Sequence, residues 1–182
     1  MNNQIKQKDY YDFQLQLEFG KRGEEAVINH LSKKEETVDI ADLSEHKEFQ
    51  ALGIDAQWIY ENPRTNVIYS TFFDVKTDFN VHKTDKLFIE TISTDKNKGC
   101  MLTTKAEEFM YFDPILGKLY RVPIFPLREW YNKYGRSKEI KEVVNKNYIS
   151  EGFLMSLEEL RDLFCVEAED MSPLEGIDLT EQ

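Results

Sequence analysis

The stretch GIDAQWIYENPRTNVIYSTFFDVKT, residues 53–77, decides the fold that we expect for this chain. Residues 54–60 and 67–75 are rich in β-branched and aromatic side chains, which favour strands. The intervening ENPRTN carries the residue types of a turn. The pattern therefore predicts two antiparallel strands joined by a short connection.

Charged residues stand at the end of the second predicted strand, in the sequence DVK. Because side chains alternate along a strand, Asp74 and Lys76 would point to one face and Val75 to the other. A symmetrical fold-back of the hairpin brings Asp55 roughly opposite residues 71–74. Two carboxylates that meet at one end of a sheet repel each other unless a cation lies between them, and Mg²⁺ suits such a site.

The remaining sequence predicts helices and strands around this hairpin. Strand 86–93, following the two strands of the hairpin, would extend it into an antiparallel meander. The expected fold class is α/β (α+β), with a single central mixed β-sheet flanked by helices. The other predicted elements are a helix in DFQLQLEFGKRGEEAVINHLSKK, at least over 21–33, a short strand in TVDIADL, a helix in TTKAEEFMYF (103–112), a strand in LYRVPI, a helix from Pro126 to Gly135, a helical or extended EIKEVVNKN, and a helix in SLEELRDLF with a capping box of Ser156 and Glu159.

The net charge of −11 argues at first against nucleic acid, because phosphates attract Lys and Arg. The charge is uneven, however: residues 158–182 contain nine acids and one base, which leaves −3 for residues 1–157. A nearly neutral body can still hold a local basic cleft. We therefore expect a folded domain over 1–165 and an acidic, flexible tail over 166–182.

Nothing in the sequence indicates a membrane or secretory protein. No apolar run approaches the roughly 20 residues that span a bilayer, and the first residues lack the apolar core of a secretory signal. Cys100 and Cys165 lie far apart in the sequence, which is typical of two reduced thiols in a cytoplasmic protein. The three histidines are scattered without the spacing of metal ligands.

Asp55, the DVK sequence and Glu24 on a preceding predicted helix resemble the PD-(D/E)XK nuclease superfamily. GKRGEEAVINHL resembles the first helix of that family, which carries an acid. KTDKLFIE resembles a strand that ends in a glutamate, here Glu90, and GCMLTTKAEEFMYFDPILGKLYRVPI resembles the following helix and strand of small phage and bacterial members. The resemblance covers roughly residues 15–125. Two departures are the 18 residues between Asp55 and Asp74, a long connection, and the absence of the motif's proline.

The resemblance implies a restriction-endonuclease-like fold and a Mg²⁺-dependent deoxyribonuclease from a phage or bacterial setting. It implies that Asp55 and Asp74 bind Mg²⁺, with Mn²⁺ able to substitute, and that the Val75 carbonyl is a third ligand. Glu24 would bind a second ion or a metal-bound water. Lys76 would orient or help deprotonate the attacking water and stabilise charge on the phosphate.

Three further residues are predicted to have less direct roles at the site. Glu90 would support a metal ligand or act as an accessory ligand, although a structural role is favoured over a catalytic one. His82 and Lys83 would touch DNA from a loop beside the site, although a solvated loop is the favoured interpretation.

Other interpretations remain open for the site and for the protein. Asp74 and Lys76 would alone be a salt bridge on a solvated face, and Glu24 an ordinary helix-surface residue that Glu25 could replace. The acidic surface or tail suggests a different class: a catalytically inactive nuclease-like protein that binds a protein partner, as a DNA mimic or an inhibitor of a host defence protein. A subunit active only within a complex is a third class. A homodimer would suit an enzyme that cuts two strands.

Overall fold

The computed structural model describes residues 13–93, 97–144 and 149–175. They form a mixed α/β structure with a central mixed sheet of six strands, a second sheet of three antiparallel strands, and flanking helices. The strand order is β1-β2-β3-β5-β6-β9 in the central sheet and β4-β8-β7 in the second sheet. The elements in chain order are α1 (Phe13–Ser32), β1 (Thr37–Asp42), α2 (Lys47–Gln50), β2 (Ala56–Asn62), β3 (Val67–Thr77), α3 (Val81–Thr84), β4 (Lys86–Ile92), α4 (Cys100–Thr103), β5 (Glu108–Asp113), β6 (Lys118–Pro123), α5 (Ile124–Lys133), a 3₁₀ turn (Gly135–Ser137), β7 (Ile140–Val144), β8 (Ile149–Ser156), α6 (Leu157–Phe164) and β9 (Ala168–Asp170).

The predicted hairpin is confirmed as β2 and β3, which pair antiparallel. Ala56 lies opposite Phe73 at one end and Asn62 lies opposite Val67 at the other, so the fold-back is symmetrical about the turn. The Asp55 N–H donates to the Phe73 carbonyl at 2.9 Å and continues the pairing one residue beyond β2. Asp55 therefore stands beside the end of β3, as the hairpin geometry predicts.

The centre of the main sheet contains a parallel pair, β3 and β5, in which Asp74 lies opposite Phe109. The prediction of a helix over 103–112 is therefore wrong: only the short α4 is helical, and β5 follows it. Phe109, Met110 and Phe112 are fully buried. A central strand between β3 and β6 is covered on both faces, and such a strand is apolar almost continuously rather than in alternation.

The third predicted strand exists as β4, but it pairs with β8 and not with the hairpin. Both the antiparallel meander and the single central sheet are therefore wrong in this respect. Between β3 and β4 the chain forms α3 and then passes through Asp85, a non-glycine residue with a positive φ of 52°. Leu87 and Ile89 of β4 are fully buried in a core that includes Phe153 of β8.

Helix α1 lies within the segment that was predicted to be helical, and it packs on the central sheet. Val27 and Leu31 lie four residues apart, are fully buried, and contact the core around Phe73. Gly23 lies so close to β3 that a Cβ built on it would be 1.9 Å from Thr77 Oγ1. A larger residue at this position would push the helix away, so Gly23 sets the close approach of α1 to the sheet.

The C-terminal elements combine confirmed and untested predictions. Helix α6 begins with the predicted capping box, in which Ser156 and Glu159 satisfy each other's backbone N–H groups. The segment EIKEVVNKN contains strand β7, and residues 145–148 lie outside the described residues. Strand β9 pairs with β6 inside the segment predicted as an acidic tail, while the division at residues 165 and 166 stays a prediction.

Glu169 of β9 is linked to the C-terminal end of helix α1 and to the residues just after it. Its carboxylate forms an ion pair with Lys34 Nζ at 2.6 Å and also contacts His30 of α1. Strand β9 and the end of α1, which are far apart in the sequence, are therefore held together. Residues 176–182 are not among the described residues. Within the described ranges, no helix combines the length and the apolar character needed to cross a membrane.

Candidate functional site

Four of the residues selected from the sequence come together at one end of the β2–β3 pair. Asp55 precedes β2, Asp74 and Lys76 lie on β3, and Glu24 lies on α1. Lys76 Nζ is 2.5 Å from Asp74 Oδ1, and Asp55 Oδ2 accepts a hydrogen bond of 2.7 Å from the Val75 N–H. The charge of Glu24 interacts with Asp55, Lys76 and Asp74. We call Glu24, Asp55, Asp74 and Lys76 the acidic site.

The backbone around Asp55 holds its carboxylate in place. The Asp55 carbonyl accepts from the Leu43 N–H at 2.8 Å, and its N–H donates to Phe73. Its carboxylate then reaches across to the backbone of β3 at Val75. Two hydrogen bonds thus hold the backbone of Asp55 and a third holds its carboxylate, so the position of this side chain beside β3 follows from the fold.

Asp74 is a carboxylate buried in an unfavourable setting. It is only 3% exposed. Its pKa is raised to about 6, mainly by burial and further by the charge of Asp55 and a hydrogen bond with Asp55, while the attraction of Lys76 opposes the rise. The pKa of an ordinary surface aspartate is about 4. Raised carboxyl pKa values from burial and like charge are common at functional sites.

Glu24, rather than its neighbour, is the helix residue that belongs to the acidic site. It is half-buried, whereas Glu25 is exposed. Burial, and then repulsion from Asp55, raise the pKa of Glu24 to about 7. The close packing of Gly23 on Thr77 brings this residue down to the sheet. The alternative that Glu25 takes this position is wrong.

Lys76 is the cation of the acidic site. Burial acts to lower its pKa, but the attraction of Asp74 outweighs this effect, so the pKa of Lys76 lies above its ordinary value. Its ammonium also lies 5.9 Å from the centre of the Phe109 ring. A side chain held in its charged form can stabilise a negative group or orient water. It is poorly suited to remove a proton at neutral pH.

Cys100 lies beside the acidic site, although no role was predicted for it. Burial raises its pKa to about 12, and its sulfur interacts electrostatically with Lys76 and Asp74, so the thiol is neutral. The Cys100 N–H donates to Glu90 Oε1 at 3.1 Å. Glu90 thus reaches the site region through Cys100. No pattern in the sequence points to this contact, because it depends on how α4 packs against β4.

His82 and Lys83, predicted to touch DNA, lie on α3. Lys83 is exposed, and the half-buried His82 has a buried Nδ1 without a hydrogen-bond partner among the described residues. No contact recorded for the described part of the chain joins either residue to the acidic site. Their role in DNA binding stays a prediction.

The metal site stays a prediction as well. Within 13–93, 97–144 and 149–175, no group of three or more His, Cys, Asp or Glu side chains is arranged to hold a metal ion. The donor set nevertheless fits Mg²⁺ chemically, since Glu24, Asp55 and Asp74 offer hard carboxylate oxygens against the single positive charge of Lys76. Lys76 contacts one of the two Asp74 carboxylate oxygens, Oδ1.

Comparison with known proteins gives no match to a family model, to a curated protein sequence or to a solved structure. The class of the protein must therefore be argued from the fold and the acidic site themselves.

Proposed function

We propose that this protein is a Mg²⁺-dependent deoxyribonuclease of the PD-(D/E)XK type with a restriction-endonuclease-like fold. The observation that supports the proposal is the convergence of Glu24, Asp55, Asp74 and Lys76. These residues come from α1, from β3 and from the position just before β2, and the resemblance to the nuclease superfamily gives each of them a role. A cytoplasmic location, in the host if the gene belongs to a phage, is part of the proposal.

The acidic site offers the groups that phosphodiester hydrolysis requires. Asp55 and Asp74, with the Val75 carbonyl, would hold Mg²⁺, which would neutralise phosphate charge and lower the pKa of a bound water. Lys76, charged at neutral pH, would stabilise the negative charge that develops on the phosphate. Glu24, with a pKa of about 7, is suited to accept a proton from the attacking water.

A nuclease assay on DNA with Mg²⁺ or Mn²⁺ tests the proposal. We expect Asp74→Asn and Lys76→Ala each to reduce cleavage by at least about a hundredfold, because each removes a group that acts on the reacting phosphate. The chain offers a matched control in Glu139 and Lys141, an exposed pair with the same spacing. Glu139→Gln and Lys141→Ala should cut like the wild type.

Equal residual cleavage by the wild type and both site variants would contradict the catalytic proposal. It would show that the cutting comes from another source. Circular dichroism of each variant would establish that loss of activity does not reflect loss of folding.

The net charge of −11 and the ion pair that occupies Asp74 favour a second candidate, a nuclease-like binding protein without activity. Its partner would be a protein that normally binds DNA. Calorimetric titration with Mn²⁺ separates the two candidates. The enzyme should bind Mn²⁺ and lose that binding in Asp55→Asn and Asp74→Asn, whereas a binding protein should keep a tight protein complex in the same variants.

A further inference from the structure

A second feature lies between β4, α4, α5 and the start of β7. It is a cleft of about 480 Å³ whose walls include Thr91, Lys98, Leu102, Tyr131, Arg136 and Glu151. We call it the basic cleft. A cleft of this size accommodates part of an extended ligand rather than a buried small molecule, because it opens widely to solvent.

The charges of the basic cleft are unpaired cations and one carboxylate. Lys98 and Arg136 are both exposed, and neither forms an ion pair or side-chain hydrogen bond with any residue that the structure describes. Glu151 is the acid in the wall. The two cations outnumber the one carboxylate in the wall of the cleft. The cleft therefore attracts an anion, although the net charge of the chain is −11.

Neighbouring segments hold the backbone on which the two cations stand. Lys98 forms a β-bridge with Ile92, and the next residue, Gly99, donates to the Thr91 carbonyl at 2.8 Å. Arg136 follows Gly135, where an added Cβ would be 2.6 Å from Tyr131 Cδ2. The close approach of this glycine holds the 3₁₀ turn, and with it Arg136, against the wall of the cleft.

The basic cleft begins next to the acidic site. Lys98 is two residues from Cys100, whose sulfur interacts with Lys76. Thr91 in the wall follows Glu90, which accepts from the Cys100 N–H. The cleft and the surroundings of the acidic site therefore share α4 and β4.

We infer that the basic cleft binds the phosphate backbone of the DNA strand that the acidic site holds, an inference that rests on the proposed nuclease function. Lys98 and Arg136 each contact a backbone phosphate. Neither contact reads base sequence, because phosphates are the same at every position. The cleft determines affinity and the direction in which the strand leaves the site.

The test measures binding of the full-length protein to a fluorescent 20-nucleotide single strand and to a 20-base-pair duplex, by anisotropy in EDTA over a range of salt concentrations. The Lys98→Ala/Arg136→Ala variant should bind about tenfold more weakly at 50 mM salt. Its slope of log affinity against log salt should be shallower by about 1.5, since each lost phosphate contact removes about 0.7–0.9.

Two further variants make the result specific. Lys133→Ala/Arg161→Ala removes one exposed lysine and one exposed arginine from α5 and α6, outside the cleft, and should bind like the wild type. Lys98→Arg/Arg136→Lys keeps both charges and should also bind normally. Equal weakening by the cleft variant and the α5–α6 variant would overturn the inference, as would failure of the wild type to bind either DNA.

Cleavage assays separate this inference from the proposed function. DNA binding that depends on Lys98 and Arg136, without any cleavage by the wild type, would support the cleft and refute the nuclease. Cleavage by the wild type with normal binding and normal cleavage by Lys98→Ala/Arg136→Ala would support the nuclease and refute the cleft.

Discussion

The two ends of the β2–β3 hairpin differ in a way that reverses the usual pattern of burial. At one end, Asp74 is a charged residue that is 3% exposed. At the other end, three consecutive apolar residues lie in solvent: Val67, Ile68 and Tyr69, with exposures of 47%, 60% and 44%. The same two strands therefore bury charge and expose apolar surface.

The two departures carry different information. Exposed apolar residues are common on folded proteins, since there is too little polar surface to cover a globule. A buried carboxylate is expensive unless it is paired, and at Asp74 the ammonium of Lys76 stands against the charges of both Asp55 and Glu24. The charged end of the hairpin thus calls for a functional explanation, and the apolar end does not.

The largest expected effect compares the packing of the two ends. Phe73 is fully buried beside the acidic site, so Phe73→Ala should destabilise the protein by about 3–5 kcal/mol through lost burial and a cavity. Ile68→Ala should change the free energy of unfolding by less than about 0.5 kcal/mol. Urea denaturation measures both. A large cost at Ile68 would show that the exposed end is covered in solution.

The next effect concerns pH. The pKa of Asp74 is about 6 in the folded chain and ordinary in the unfolded chain, so the folded state keeps a proton that the unfolded state loses between about pH 4 and 6. The contribution of Asp74 to the free energy of unfolding therefore falls as pH rises through that window, by at most about 3 kcal/mol. Asp74→Asn should remove the fall.

Urea denaturation in EDTA between pH 4 and 7.5 measures the free energy of unfolding of each variant, which is compared with that of the wild type at each pH. Asp162→Asn, at an exposed acid on α6, is the control and should leave the pH dependence unchanged. If the free energy of unfolding of Asp74→Asn depends on pH in the same way as that of Asp162→Asn, the raised pKa of Asp74 is contradicted.

The smallest effect concerns the contact that brings α1 to the charged end. Gly23→Ala adds a Cβ that meets Thr77 Oγ1, which should cost about 1–3 kcal/mol against a gain of about 1 kcal/mol in helix propensity. Thr77→Ala removes the opposing hydroxyl, which is buried without a hydrogen-bond partner among the described side chains. In that background Gly23→Ala should become neutral or stabilising.

Thermal unfolding of the four proteins of this cycle gives the coupling energy between Gly23 and Thr77. Additive effects would mean that the helix moves freely at this point, and the placement of Glu24 would lose its physical basis. The DNA cleavage rate of Gly23→Ala gives a second measurement, since a displaced helix moves Glu24 away from Asp55.

The hairpin and its charged end could be predicted because their determinants are close in sequence. A short turn fixes the register, and the register places Asp55 beside the end of β3. The helix over 103–112 was wrong because Lys105, Ala106 and Glu107 favour a helix, while the aromatic run after them favours a strand. Tertiary pairing with β3 decided between these tendencies.

By itself the sequence determined the local structures: the β2–β3 hairpin, helix α1 with its acid, and the capping box of α6. Each depends on neighbours a few residues apart, or on one short loop. Only the tertiary structure decided the parallel β3–β5 pair, the second sheet, and the position of Cys100 near Lys76. Such contacts join segments whose sequences carry no record of one another, because burial and backbone pairing select the partner after the local elements form.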